Sequence, residues 1–309
     1  MSPQMKIRHT QHYAYDQLVT FGLQEIRLYP AFHCATPVYD YALTVSQSTS
    51  RIRWSTDTCN NRVAMVQLPD PGDEFQVTVE FTTSIAPTRS ECFEQDQVAS
   101  YPFEYQFRKD LAPYLEPDES GSLLREFASQ GNIPEHSLEV LAWVLDKQQK
   151  ILRHETRLAD NFQNCETTLK RGLGTTTDWT WLFVQTMRKL GFAARFAAGY
   201  QIDLESPGKG YDEVQYRLWS EVFLGGVGWI GVDPTQARQT DENYLPLAVG
   251  PHPDRVAALS GTRSKAVVSA SESLQIYRMK DTPTVPERYI RGLPLPTIER
   301  PLAEYYGEE

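Results

Sequence analysis

Residues 172–201, GLGTTTDWTWLFVQTMRKLGFAARFAAGYQ, decide the fold. A glycine-rich turn leads into Thr175, Thr176 and Thr177. Each can offer a side-chain oxygen to free backbone N–H groups, so a helix is predicted to begin close to Asp178. Leu182, Phe183, Thr186, Met187 and Leu190 then recur at helical spacing, a mostly apolar stripe that faces a core. Gly191 stops the helix, and residues 192–200 return as a buried strand of small and aromatic residues. A helix N-terminus in a glycine-rich loop suits an anion or an activated nucleophile. No obvious nucleophile stands there.

Upstream, residues 1–95 read as an antiparallel β domain. Runs at 6–15, 24–29, 39–46, 52–56, 62–68 and 75–85 each have strand composition, and Phe75, Val77, Val79 and Phe81 alternate. Pro30, Pro37, Asn60-Asn61 and Pro69-Asp70-Pro71-Gly72 separate them as turns. The expectation is a β-sandwich without chemistry of its own. Prolines 102, 113 and 117 mark a connection to helices at 122–128 and 135–152, the second with Pro134 at its first position and Glu135 in its first turn.

Downstream, residues 216–223 and 228–232 form a candidate hairpin across 224–227, and 246–249 and 266–278 are candidate later strands. The resulting division is 1–95, 96–280 and a proline-rich tail at 281–309. The tail carries Tyr289, Ile290, Leu293, Leu295, Ile298, Leu302, Tyr305 and Tyr306, more large apolar side chains than an idle linker needs, so it is expected to dock on its own domain or on a partner.

Composition narrows the function. A formal charge of −10 over 309 residues argues against nucleic acid or an anionic membrane as the main partner. Cys34, Cys59, Cys92 and Cys165 are widely spaced without a CxxC, which suggests neither a disulfide framework nor a zinc site. The N-terminus lacks a secretory apolar run and no stretch reaches the ~18 apolar residues of a membrane span. The expected compartment is the cytoplasm. No metal or cofactor is expected.

Three blocks then carry a resemblance. Gly174 to Leu182 with Gly191-Phe192-Ala193-Ala194-Arg195 and Gly199-Tyr200 is similar to the family pattern GSCRDxAWL followed by LGxxARxxSGY. Trp219 to Phe223 with Gly228 to Thr235 resembles HAWxEVYLPGxGWxGxDPT, and Leu247 to Gly250 resembles the AVG motif that follows. Tyr13 to Asp16, Arg27 to Pro30 and Asn61-Arg62-Val63 match the β domain that precedes such cores. On these residues the chain resembles the bacterial transglutaminase-like family. The resemblance implies an α+β fold, an N-terminal antiparallel β-sandwich followed by a papain-like core.

That family's chemistry needs a cysteine thiolate, a histidine base and an aspartate that orients the histidine. By position these fall on Thr176, Arg217 and Asp233, so only the aspartate matches. Tyr244 stands where a further histidine often follows. Threonine is a far weaker nucleophile than a thiolate and needs a base, and arginine has no acceptor to serve as one. Thr176 is therefore read as a helix cap in preference to a nucleophile. Arg217 could be a surface cation, a clamp for a ligand carboxylate or a partner for Asp233; the last is preferred, because a buried acid is costly unless paired. The motif histidine being absent, His9, His12, His33, His136, His154 and His252 all lie outside the motif blocks.

The resulting expectation is a catalytically degenerate member that binds a peptide or protein partner, as a subunit or regulator of another enzyme system and able to join a hetero-oligomer. Relatives are often encoded beside ATP-dependent amide ligases, which gives that role a context. The expected binding cleft comprises Thr175, Thr177, Asp178, Trp179, Trp219 and Tyr244. The alternative is an amide hydrolase or transferase with rebuilt, non-Cys/His chemistry.

Overall fold

The protein is seen here as a computed structural model that describes residues 4–85, 98, 100–102, 105, 108–157, 162–204, 212–264 and 269–279. The tail at 281–309 lies outside the described residues, as does Cys92. The chain begins with β1 (Gln4–Val19), β2 (Phe21–Ile26), β3 (Val38–Val45), β4 (Arg51–Thr56), β5 (Arg62–Gln67) and β6 (Gly72–Ser84). It continues with α1 (Ser122–Ser129), α2 (Ser137–Ile151), β7 (Arg153–His154), α3 (Cys165–Arg171), β8 (Leu173–Gly174) and α4 (Thr176–Lys189). The last elements are β9 (Ala194–Asp203), β10 (Glu213–Leu224), β11 (Gly228–Asp233), β12 (Arg238–Gln239), β13 (Tyr244–Gly250), β14 (Leu259–Arg263) and β15 (Ser269–Arg278).

Two four-stranded antiparallel sheets, β15-β1-β6-β3 and β14-β2-β5-β4, form the N-terminal sandwich. Alternation drives it: Met5, Ile7, His9 and Gln11 of β1 are buried on one face while their neighbours face outward. The core is a five-stranded antiparallel sheet, β12-β11-β10-β9-β13, against which α4 packs. Every residue of β9 except Asp203 is buried, because the helix covers one face and the sandwich meets the other. Tyr200, Ile202, Leu245 and Leu247 accordingly share a cluster with Ile7, Val79 and Phe81 of the sandwich.

The sequence-based division therefore needs a correction. β14 and β15 fall within 96–280, yet they join β2 and β1 as edge strands of the N-terminal sheets. Little in β15 reveals this: eight of its ten residues are exposed, and only Leu274 and Ile276 pack against the sandwich core, too few to say which sheet the strand joins. α2 also starts later than expected. His136 is its N-cap and Pro134 lies outside it, because Glu135 and His136 are engaged in extended pairing with Tyr101 and Ser100. Helix α3 has no counterpart in the sequence reading; its seven residues are too few for an apolar period to register.

Asn61 locks the two units together. Its side-chain amide donates to the Val249 carbonyl and accepts from the Val249 N–H, both at 2.7 Å, like a neighbouring strand. A second tie runs through Glu221 of β10, which is buried between Arg195 of β9, with Nε at 2.8 Å, and His33 of the sandwich, with Nε2 at 2.9 Å. Burial acts to raise the Glu221 pKa, but His33 and Arg195 outweigh it and hold it at about 2. Arg195 lies in turn over the Trp229 ring at 3.9 Å.

Candidate functional site

The N-terminus of α4 is built by a reciprocal cap. Thr175 is the N-cap and its hydroxyl accepts from the Asp178 N–H, while the Asp178 carboxylate accepts from the Thr175 N–H at 2.8 Å. Asp178 is fully buried and also accepts from Gln163 N at 2.5 Å, Gln163 Nε2 at 3.1 Å and Arg157 Nη2 at 2.9 Å. Burial opposes its ionisation, yet these bonds, led by those from the Thr175 and Gln163 backbones, hold its pKa below the usual carboxylate value. The cap is thus Thr175, not Thr176 as expected. Thr176 is the first helical residue, and its hydroxyl is released from capping. At the other end Gly191, at φ 86°, closes a Schellman turn: its N–H reaches the Arg188 carbonyl and that of Phe192 the Met187 carbonyl.

Thr176 opens into a cavity of about 550 Å³ whose wall also contains His154, Trp179, Arg217, Thr235 and Gln236. The structure therefore brings Thr176 and Arg217 to one cavity and sets Asp233 behind Arg217. The Arg217 Nη2 lies 3.2 Å from Asp233 Oδ2 and 2.7 Å from Thr235 Oγ1. Asp233 is fully buried. Its Oδ1 accepts from Thr235 N, Thr235 Oγ1 and Gln236 N, and its Oδ2 from the Tyr244 hydroxyl at 2.9 Å. Burial is the main cause of a Tyr244 pKa raised to about 12, with the Asp233 charge adding to it, so the phenol stays protonated and donating. Asp233 in this network is an anchor for cationic and neutral donors, and no imidazole is among its described partners.

Sequence reasoning missed His154. It sits on β7, whose parallel pairing with β8 (His154 opposite Gly174) brings its Nε2 to 3.3 Å from Thr176 Oγ1. That pairing joins segments some twenty residues apart and leaves no periodic trace in the sequence. Thr235 and Gln236 were missed in their chelating role, though the Asp-Pro-Thr turn that places them was in view.

The expected cleft residues divide. Trp179 lines the cavity beside Thr176; Thr175 and Thr177 line a second cavity, of about 580 Å³, on the other flank of α4 with Phe162, Tyr216 and His252. Asp178, Trp219 and Tyr244 line neither. They stand buried behind the walls, because Asp178 is consumed by capping and Trp219 packs edge-on against Tyr244 with a ring separation of 5.3 Å. Cys165 is completely buried, with its thiol pKa pushed up by burial and by Glu119, which removes it as a nucleophile at neutral pH.

Two donors of residues in the first cavity's wall have no partner among the described residues. Arg217 Nε and Trp179 Nε1 are both sealed from solvent without a hydrogen bond. An unpaired buried donor costs on the order of 1–3 kcal/mol. Among the described residues no group of histidine, cysteine, aspartate or glutamate is arranged to hold a metal, and no helix is long and apolar enough to cross a membrane.

Comparison with known proteins agrees with this architecture. Residues 5–84 match the bacterial transglutaminase-like N-terminal region, and residues 130–234 the transglutaminase-like superfamily core. Uncharacterised proteins of Mycobacterium tuberculosis and Mycobacterium bovis are each 22% identical over 268 residues, 79% of this chain and 82% of theirs. A crystal structure from Cytophaga hutchinsonii, described as that of a candidate cysteine protease, superposes with a TM-score of 0.63 at 14% identity, covering 95% of this chain and 96% of that one. At that identity the likeness speaks to the fold alone.

Proposed function

The chain belongs to the bacterial transglutaminase-like family, an N-terminal region of that type joined to a transglutaminase-like core, and from this premise we propose that it binds a peptide or protein partner in the α4 cleft without turning it over. The observation that carries this reading is the Arg217–Asp233 pair. A guanidinium fills the position that the family pattern gives to the base, and Asp233 is occupied by Arg217, Tyr244 and the Thr235–Gln236 turn. Arginine keeps its proton and offers no acceptor lone pair, so it can neither activate a nucleophile nor return a proton to a leaving amine. In place of the thiolate stands a hydroxyl, far less nucleophilic at neutral pH.

A second reading has one observation in its favour. His154 lies within reach of the Thr176 hydroxyl and could serve as a base for it. Against it, His154 is exposed, and Asp233 is already committed to Arg217 and cannot orient it. Fluorophosphonate and iodoacetamide labelling, followed by mass spectrometry, separates the two readings. The expected result is no adduct at Thr176 and no cleavage or transfer with peptide amides. A Thr176 adduct, with turnover abolished by Thr176→Val, would overturn the non-catalytic reading.

A further inference from the structure

The edge of a β-sheet is a row of unmade hydrogen bonds that invites another strand, and natural proteins guard it with shortness, charge, proline or a bulge. Among the described residues, every sheet edge but one carries such a guard. β7, β8 and β12 are two residues long. β14 is five residues long, with a break in register between Gly261 and Arg263. β3 is broken between Tyr39 and Ala42, where Asp40 adopts φ 49°. β4 presents Arg51 and Arg53, both exposed. β13 contains Pro246 and is covered at Val249 by the Asn61 amide. The exception is β15, which pairs with β1 over ten consecutive residues without a break and contains neither proline nor lysine. Its two charged side chains are engaged elsewhere: the Glu272 carboxylate with His9 at 2.9 Å and Gln11 at 3.1 Å, and Arg278 with Asp212.

The Met279 N–H donates to the Gln4 carbonyl at 2.8 Å, which sets the parity of the ladder. Odd-numbered residues of β15 bond to β1, whereas Ala270, Glu272, Leu274 and Ile276 direct their main-chain N–H and C=O groups outward, where no described residue pairs with them. We propose that this edge is a dimerisation surface, on which β15 of a second copy of the chain pairs antiparallel with the two-fold axis at Leu274. A two-fold contact must be complementary to itself, and this strand is. With the axis there, Glu272 faces the partner's Ile276, Arg278 the partner's Ala270, Ser271 the partner's Tyr277 and Ser273 the partner's Gln275, so no charge meets its like. The two sheets of four strands become one continuous sheet, held mainly by main-chain hydrogen bonds. The chain's own tail suits the edge less well, because prolines 283, 286, 294, 296 and 301 leave no ten-residue stretch able to donate throughout. No residue of β15 lines either cavity beside α4, so the surface is independent of the binding reading.

The test is sedimentation equilibrium of the full chain over a concentration series, where a species of twice the chain mass of 35.3 kDa is expected. Two double variants probe the edge: Ser273→Glu with Gln275→Glu, and Ser273→Lys with Gln275→Lys. Both positions are exposed and stand opposite Thr10 and Arg8 of β1, so the fold is expected to survive, and thermal melts check that it does. Each variant alone sets like charges against each other across the two-fold, at residue 273 of one copy and 275 of the other, and should weaken self-association about tenfold. Mixing the two variants sets opposite charges there and should restore a dimer, which a variant that merely misfolds could not do. A monomeric natural protein would overturn the proposal. So would a dimer indifferent to both variants, which would place the contact on another surface, or a failure of the mixture to recover. A chain that dimerises only when truncated after Lys280 would give the edge to the tail and overturn the proposal as well.

Discussion

At Arg217 a single side chain bears on stability and, in the function proposed above, on the loss of a catalytic base. Asp233 has no contact with water, and Arg217 is the only cation within an ion pair's reach of it among the described residues. Removing one member of a buried pair typically costs 3–5 kcal/mol; since Asp233 would keep its bonds from Thr235, Gln236 and Tyr244, Arg217→Ala should destabilise by about 3 kcal/mol in urea titration. An unchanged midpoint would show that the pair contributes nothing. Glu221 makes a separate prediction about pH. Its folded pKa of about 2 lies below the ordinary 4.5, so the stabilisation it supplies is complete above the unfolded pKa and disappears as pH falls from about 5 towards 2. The stability difference between the natural protein and Glu221→Gln, measured across that window, should therefore shrink on acidification by as much as about 3 kcal/mol. A difference independent of pH would sever Glu221 from the His33–Arg195 tie.

At the scale of the element, the start of α4 separates two adjacent threonines by role. Thr175 accepts from the Asp178 N–H and closes the capping box, whereas the Thr176 side chain touches only His154 among the described hydrogen bonds apart from its place in the cavity wall. Thr175→Ala should cost about 1 kcal/mol or somewhat more. Thr176→Ala should stay within about 0.5 kcal/mol of the natural protein. Paired thermal melts of the two variants check this, and a larger loss at Thr176 would restore it to the capping role that the sequence suggested. Asp178 is the more sensitive member, because Asp178→Ala strands the Thr175 N–H and the Gln163 N–H together and removes one of the carboxylates that Arg157 pairs with.

For the whole molecule, the sandwich is closed by strands from the far end of the described chain. β15 covers the edge of β1 over ten paired residues and ends at Arg278, where an ion pair with Asp212 fastens it to the core. Truncation after Ser264 should expose the β1 edge and produce a destabilised, self-associating protein, visible in circular dichroism and size-exclusion chromatography. An equally well-folded monomer from the shorter chain would show that the sandwich does not depend on β15.

What the sequence determined by itself was local and periodic. The alternation of Phe75, Val77, Val79 and Phe81, the threonine-capped stripe of α4 with Gly191 as its stop, and the hairpin of β10 and β11 all follow from short-range sterics and from burial on one face. The motif spacing also placed Thr176, Arg217 and Asp233 in the family's frame. What only the tertiary structure decided was non-local. β15 lies on β1 more than 250 residues away, His154 meets Thr176 through a two-residue parallel ladder, and Thr175 rather than Thr176 takes the cap. The single alternating pair of β15, Leu274 and Ile276, names no partner strand, the two residues of β7 carry no period, and three consecutive threonines are equivalent caps until Asp178 is buried against Arg157 and Gln163. Those choices are made by hydrogen-bond partners distant in sequence, and no local pattern encodes them.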